Sequence, residues 1–459
     1  MHTTLIQNGT ILPCVTDMRE VISPGYIVIE GERIVQVEPG QPSSDLVGKC
    51  DEVISASGCA VIPGLVNAHT HLFQTFLRGL ADDKPLLEWL AAATWPGALA
   101  MTEEDFYLSA KLGFMENLKC GATSVLSQDY VQTSTRNMDV VAQAAEEIGI
   151  RALLARGYAD REPYREEFRE TPEQVIKETQ RLVKYWNHRN GGRIRVEFAP
   201  LIPWGCRGDT LQTISQLAKE WDVGVHIHVN ETLPEVQMSL DEFGVRPIRW
   251  LADLGVLDEH WQLVHCVWLD EEEMDLIAKH GSLIIHNPVS NMYLASGIPK
   301  VVEWRKRGIP TALATDGPGS NNSQDMMEVL KFTACLQKVG TLNATALLPE
   351  DVLEMALWGG AKAMRLENQI GKLKPGALAD IVLVNLRKAH IMPVHSAQSA
   401  LVYNANGNDI DTVIVAGKVL VQNGKMKHVD EEKLLSDCQQ AVERICKRGN
   451  IASKAHLFV

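Results

Sequence analysis

"AVIPGLVNAHTH", residues 60 to 71, is an apolar run that ends in two histidines, His69 and His71, set two apart. In a strand, residues i and i+2 face the same side. The run therefore reads as a buried strand whose end presents two imidazoles together. A metal ion asks for that arrangement, and chance supplies it in some surface strands, so the rest of the chain has to decide. Short buried runs of the same kind recur at "GATSVLS", "IRALLARG", "IRVEFAPLIP", "VGVHIHVNE", "WQLVHCVW", "GSLIIHNP" and "IPTALATDG". Amphipathic stretches of helix length separate them, such as "TRNMDVVAQAAEEIGI" and "DEEEMDLIAKH". Counted with the first strand, that makes eight β-then-α units, the arithmetic of an α/β (β/α)8 TIM barrel of ~250 residues plus insertions. No glycine-rich phosphate fingerprint follows any of these strands, which weighs against a doubly wound open sheet.

Outside residues 64–370, the expected barrel, the pattern changes. "TLIQNGTIL", "YIVIEGERIVQVE" and "EVISASGCAVIPG" near the start, and "GALADIVLVNL" and "IDTVIVAGKVLVQNGKM" near the end, are β-type runs broken by turn signals. They read as small antiparallel sheets in residues 1–63 and 371–429 that assemble one composite β-sandwich from both termini. Residues 430–459, with "DEEKLLSDCQQAVERICKRG", read as a C-terminal helical tail.

The formal net charge of −14 argues against a nucleic-acid or anionic-membrane partner, since either wants a basic face. No apolar run approaches the ~18 residues of a spanning helix, and the start shows no charged-then-apolar signal pattern. The nine cysteines form no CxxC pair, so they read as reduced thiols of a cytoplasmic protein. Any metal site must then come from His, Asp and Glu.

Catalytic groups of a parallel barrel sit at the C-terminal ends of its strands. Those ends carry His69 and His71 after the first strand, His228 and Glu231 after the fifth, His265 after the sixth, His286 after the seventh and Asp316 after the eighth. Singly, each has an ordinary structural explanation; together, at equivalent positions, they form a constellation. Imidazole and carboxylate without thiolate suit Zn, with Fe or Mn as alternatives. His69, His71, His228 and Asp316 are expected to hold the ion, which would make hydroxide available near neutral pH. Glu231 is placed to shuttle a proton between water and substrate, and His265 to stabilise the attacking group or the tetrahedral centre. His286, in "HNPVSN", is read as a substrate contact, with support of the seventh strand as the other possibility.

The order and length of "PGLVNAHTHLFQTFLRGLADDKPLLEWL", "HIHVNET", "LVHCVWL", "HNPVSNMYLASGI", "ATDGPGSNNS" and "IGKLKPGALADIVLVN" resemble the amidohydrolase superfamily, in its aminohydrolase and chlorohydrolase branch. The likeness runs almost end to end. It implies a metal-bearing barrel with a composite β-sandwich, the same four ligands, and Glu231, His265 and Asp316 as proton-handling groups. The fourth-strand motif "FAPLIPWG" offers no lysine to bridge two metals, so the resemblance implies one divalent metal per chain, Zn first and Fe next. It also implies a homo-oligomer. Within the branch the chain is most similar to the methylthioadenosine and S-adenosylhomocysteine deaminases, which implies that Glu88 of "LLEWL" contacts ribose hydroxyls and that Arg156 of "LLARG" helps bind an amino-acid carboxylate.

Two positions depart from that group: Leu201 and Trp268 stand where histidines are common. They imply a pocket that reads a ring by shape and stacking, with Trp268 either against the substrate or packed beneath the rim. Removing a hydrogen-bonding partner from a dry pocket changes discrimination by orders of magnitude. "SNMYLASGI" and "WPGALAM" also resemble the s-triazine hydrolases. The expected activity is metal-dependent hydrolytic deamination of a small aromatic N-heterocycle, an aminopurine nucleoside or a free ring. Ammonia would leave after attack by a metal-activated water. The alternative is amino- or chlorohydrolysis of an s-triazine.

Overall fold

The computed structural model describes residues 2–187 and 189–452. Eight parallel strands lie in sequence order around a barrel: β6 (Leu65–Thr70), β7 (Ala122–Asp129), β8 (Arg151–Tyr158), β9 (Ile194–Pro200), β10 (Val225–Val229), β11 (Trp261–His265), β12 (Leu283–His286) and β13 (Thr311–Leu313). No ladder joins β13 to β6 among the described residues. The seam is closed instead by the Asp316 amide donating to the His69 carbonyl at 3.0 Å and by Asn67, which exchanges hydrogen bonds with Thr315. The eight sequence units and these eight strands coincide.

Alternation decides what each strand side chain meets. Val225, Ile227 and Val229 of β10 join the large core beneath the helices, as do Trp261 and Leu263 of β11. Leu153, Ala155, Val264, Leu283 and Ile285 fill the lumen. The helices start where their sequences say they should. Thr102 and Asp105 cap Glu103–Lys119 reciprocally, and Asp270 and Glu273 do the same for Glu271–His280.

The terminal strands form one nine-stranded sheet built from β1 (Thr3–Ile11), β2 (Ile22–Glu30), β3 (Arg33–Pro39), β4 (Glu52–Ser55), β5 (Cys59–Pro63), β14 (Ile381–Asn385), β15 (Ile410–Val415), β16 (Lys418–Gln422) and β17 (Lys425–Met426). β14 pairs with β5 over five residues, from Ile381↔Pro63 to Asn385↔Cys59, and so joins the two ends of the chain. The sheet is mixed rather than antiparallel throughout, because β1 runs parallel to both β4 and β5. It curls over its own core, which includes Ile6, Ile29, Val61 and Leu383. The buried pair Arg151–Asp380, at 2.8 Å, ties the start of β8 to the segment entering β14. The last helix, Glu431–Arg448, lies along Glu103–Lys119, and residues 453–459 of the expected tail lie outside the described residues. No helix among the described residues is long and apolar enough to cross a membrane.

Candidate active site

A bulge places the first ligands. β6 pairs with β7 as Val66↔Ser124, Asn67↔Val125 and then Thr70↔Ser127, so one extra residue of β6 is accommodated between Asn67 and Thr70. Bulges re-aim side chains. Asn67 faces the helix layer, where it meets Asn117, yet His69 and His71 both reach the mouth of the lumen. There His69 Nε2 and His71 Nε2 lie 3.3 and 3.4 Å from Asp316 Oδ1, and His228 Nε2 lies 3.2 Å from His71 Nε2.

Each ring's other nitrogen shows why these atoms meet. His71 Nδ1 is 2.6 Å from the Gln128 carbonyl, and His228 Nδ1 is 2.9 Å from the Leu201 carbonyl. A carbonyl only accepts, so both Nδ1 atoms carry the proton and both Nε2 atoms present a bare lone pair. Burial, and then the charge of His69, push His71 down to about 4; the same two causes hold His228 well below its usual range. Neutral imidazole is the form a metal needs. Burial pushes the Asp316 carboxyl up, but the imidazoles of His69, His265 and His71 around it outweigh that and hold the group well below the usual range. His69 Nε2 is buried and has no hydrogen-bond partner. Three bare nitrogens and a carboxylate facing one another across a few ångströms, one nitrogen orphaned, fit a divalent cation. Ser290 Oγ donates to Asp316 Oδ2 at 2.6 Å and the Gly317 amide to Oδ1 at the same distance, which fixes the carboxylate.

His265 also lies among these ligand atoms, and its tautomer is the opposite one. Its Nδ1 faces the side-chain amides of Asn291 and Asn287 at 3.0 and 3.3 Å, which donate to it. The proton therefore sits on Nε2, aimed between Glu231 Oε2 at 3.5 Å and Asp316 Oδ2 at 4.0 Å. His265 is a hydrogen-bond donor to whatever occupies the site. Burial, then the carboxylates of Glu235 and Asp316, push the Glu231 carboxyl well above its usual range, against a 3.0 Å hydrogen bond from Ser296 Oγ. That direction favours the protonated carboxyl, the form a general acid needs. These groups open onto a pocket with about 550 Å³ of empty space, its open mouth included, walled by Leu86, Leu90, Tyr164, Leu201, Trp204 and Leu294, with Gln74, Tyr130, Glu235 and Ser320 among its further polar groups.

The family model described as "Amidohydrolase family" matches residues 60–420. This chain belongs to the amidohydrolase family. It is 36% identical over 444 residues to a 5-methylthioadenosine/S-adenosylhomocysteine deaminase of Thermoanaerobacter pseudethanolicus, covering 97% of this chain and 99% of that one. It is 36% identical over 450 residues to a 5'-deoxyadenosine deaminase of Methanosarcina mazei, covering 98% and 100%. Among solved structures, an adenosine deaminase from Xanthomonas campestris with bound zinc superposes with a TM-score of 0.89 at 31% identity, over 97% of this chain and 98% of that one. An atrazine chlorohydrolase from Arthrobacter aurescens TC1, complexed with zinc, reaches the same TM-score at 23% identity over 96% and 100%, a likeness of fold.

None of the four expected substrate contacts, Glu88, Arg156, His286 and Trp268, is on the cavity wall of this amidohydrolase. Glu88 is exposed on the short helix Leu86–Trp89. At 100° per residue, Leu86, Leu87, Trp89 and Leu90 share one arc and face the cavity, leaving Glu88 on the opposite side. Trp89 Nε1 anchors that orientation by donating to the Gly319 carbonyl at 2.9 Å. Arg156 has the same parity as Ala152 and Leu154, so it points out of the barrel, where Nη2 pairs with Glu170 at 2.6 Å. His286 follows the parity of Ile284 and stands edge-on to Trp304, ring centroids 6.1 Å apart, behind the strand. Burial pushes it down to about 3, and neither ring nitrogen has a hydrogen-bond partner. The seventh-strand reading therefore turns to the structural possibility. Trp268 lies at the rim against Gly297, where Nε1 donates to the Ser296 carbonyl at 2.7 Å. It steadies the residue that hydrogen-bonds Glu231. Sequence reasoning missed Glu235, Ser290 and Ser296, whose types and spacings carry no signal of their own. It also passed over His226, which the i, i+2 argument applied to "HIH" could have found.

Proposed function

We propose that this chain is a metal-dependent hydrolytic deaminase of aminopurine nucleosides. The observation that carries the reading is the convergence of a buried carboxyl, Glu231, and a donor imidazole, His265 Nε2–H, beside three bare imidazole nitrogens at the end of an apolar cavity. His69, His71, His228 and Asp316 would hold a single ion, with zinc the best match to three imidazoles and a carboxylate. When bound, the ion supplies a nucleophilic water ionised near neutral pH.

The chain's residues do the rest. Glu231 delivers its proton to a ring nitrogen, which makes the adjacent amino-bearing carbon electron-poor enough to be attacked. His265 donates from Nε2 to the oxygen as the carbon becomes tetrahedral. Asp316, kept ionised, takes the proton released from the attacking water. Asp316 then passes that proton to the amino group, which leaves as ammonia, and the hydroxyl proton of the tetrahedral centre returns to Glu231 as the carbonyl forms. Leu201, Trp204 and Tyr164 exclude water and hold the ring by contact, so orientation comes from shape as well as from hydrogen bonds.

The cavity wall carries no lysine or arginine among the described residues, and Arg156 is already paired outside the barrel. A nucleoside with an uncharged 5' substituent suits that wall better than one ending in an amino-acid carboxylate. Burying an unpaired carboxylate costs several kcal/mol. An ammonia-release screen tests the proposal, with methylthioadenosine, 5'-deoxyadenosine, S-adenosylhomocysteine, adenosine, free adenine, guanine, pterins, cytosine and amino- or chloro-s-triazines as substrates. The expected order puts methylthioadenosine and 5'-deoxyadenosine first. Turnover of triazines alone would overturn the nucleoside assignment, and no hydrolysis of any member by zinc-loaded protein would overturn the activity.

A further inference from the structure

The Nδ1 atoms of His71 and His228 face backbone carbonyls, but His69 Nδ1 does not. It lies 2.8 Å from the Nε2 of another histidine, His226, which is fully buried. His226 stands two residues before His228 on β10 and so points into the lumen one layer deeper. The two rings meet edge to edge, with centroids 5.0 Å apart and planes 19° from parallel, as an in-plane N–H···N bond requires. His226 Nδ1 in turn lies 3.1 Å from Gln262 Oε1. The Gln262 amide nitrogen is 3.1 Å from the Ala363 carbonyl and 3.4 Å from Glu197 Oε2.

Polarity runs through this chain in one direction. Two acceptors on the far side hold the Gln262 NH2 there, which leaves its oxygen toward His226. His226 must then donate from Nδ1, so its Nε2 is bare and accepts the proton of His69 Nδ1. His69 Nε2 is left as a lone pair, the orphaned nitrogen beside Asp316. We propose that His226 is a positioning residue for metal binding: through Gln262, the barrel floor sets the tautomer and ring plane of His69. The inference rests on the metal-site reading above. A ligating histidine's second nitrogen is usually engaged by carboxylate, carbonyl or water; here an imidazole, itself fixed from below, performs that task.

Two substitutions in the full-length enzyme test it. His226→Leu removes the acceptor, and His226→Gln returns an amide oxygen close to where Nε2 stood. Zinc affinity is measured by competition with a chelator of known affinity, alongside the melting midpoint of each metal-free protein. The expected result is a loss of about 10–100-fold for the leucine variant, recovery of most of it by glutamine, and metal-free midpoints that stay together. Zinc held as tightly by the leucine variant as by wild type, or as weakly by glutamine as by leucine, would overturn the proposal. Histidine-ring nitrogen NMR of metal-free wild type at mildly alkaline pH supplies a measurement that needs no variant. The expected tautomer of His69 is Nδ1–H, and Nε2–H would overturn the relay. If wild type takes up no zinc, the metal reading fails by itself, and the tautomer still decides the relay.

Discussion

Glu231→Gln is the most direct perturbation of the proposed chemistry. In the wild type, Glu231 Oε1 accepts from Ser296 Oγ at 3.0 Å, and Oε2 lies 3.5 Å from His265 Nε2. Glutamine keeps the shape and can keep the Ser296 bond through its own oxygen, so the fold and the cluster of His69, His71, His228 and Asp316 should be unaffected. What it cannot do is give up a proton to the ring. A positioned acid contributes about 10²–10⁴-fold, so kcat should fall by that factor, about 3–5 kcal/mol on the barrier. KM should move little, because the apolar wall is intact. The assay is steady-state ammonia release from methylthioadenosine, with zinc content and melting midpoint measured on the same preparations. A variant with wild-type zinc and more than about a tenth of the wild-type kcat would refute the role of Glu231.

Three further outcomes follow from particular contacts. Trp268→Phe keeps a ring against Gly297 but loses the hydrogen bond to the Ser296 carbonyl. One hydrogen bond of about 0.5–1.5 kcal/mol predicts a kcat reduced about 2–12-fold with KM nearly constant, and an unchanged kcat would remove Trp268 from the support of Glu231. Burial pushes Glu197, on the barrel floor, up to about 8 from an ordinary 4.5. The folded state therefore keeps a proton that the unfolded chain has released, and the stability this contributes is fully present below about 4.5 and lost as pH rises through about 8. Glu197→Gln should flatten the melting midpoint across that window and raise it at the alkaline end; parallel pH curves for the two proteins would contradict this. Dialysis against a strong chelator should abolish turnover while leaving the far-ultraviolet circular dichroism unchanged, with zinc restoring it. Full activity in protein free of transition metals would end the metal reading.

The barrel was legible because its signal is repetitive. Eight buried runs separated by helix-length stretches leave few other topologies, and the strand ends then gather His69, His71, His228, Glu231, His265 and Asp316 without further information. The composite sheet was legible as strands but not as pairing. Nothing in "TLIQNGTIL" says that its second half will run parallel to "CAVIP". The misplaced residues share one cause. Placing a residue at a strand end or on a helix start leaves its direction undetermined, and a step of one position turns Arg156, His286 or Glu88 from cavity to back. The bulge between Asn67 and Thr70 shows how fine that distinction is, because a single extra residue is what brings His69 to face the lumen. Gln262 and Ser296 were invisible for a different reason: their roles come from partners 36 and 65 positions away in the chain.

Backbone strain at the C-terminal end of the barrel bears on the site. At the N-terminal end, the turns that lead into β12 and β13 take their left-handed conformation at Gly281 and Gly308, with φ of 74° and 68°. A glycine there carries no Cβ penalty. At the C-terminal end, the left-handed positions are Asn230, His265, Cys266 and Asp316, with φ of 54°, 74°, 52° and 64°. For residues with a side chain such conformations cost about 1–3 kcal/mol each. Glycine would relieve the strain at every one of these positions, but it would also delete the Asp316 carboxylate, the His265 donor and the Asn230 amide that reaches Glu273. The turn at His265 and Cys266 is also what breaks strand alternation at the end of β11. Val264 already points into the lumen, so a regular strand would send His265 outward with Leu263. Held left-handed, it lies instead with Nδ1 against Asn287 and Asn291 and with Nε2 toward Glu231. At His265 and Asp316, strained backbone therefore coincides with side chains assigned to proton and ligand chemistry.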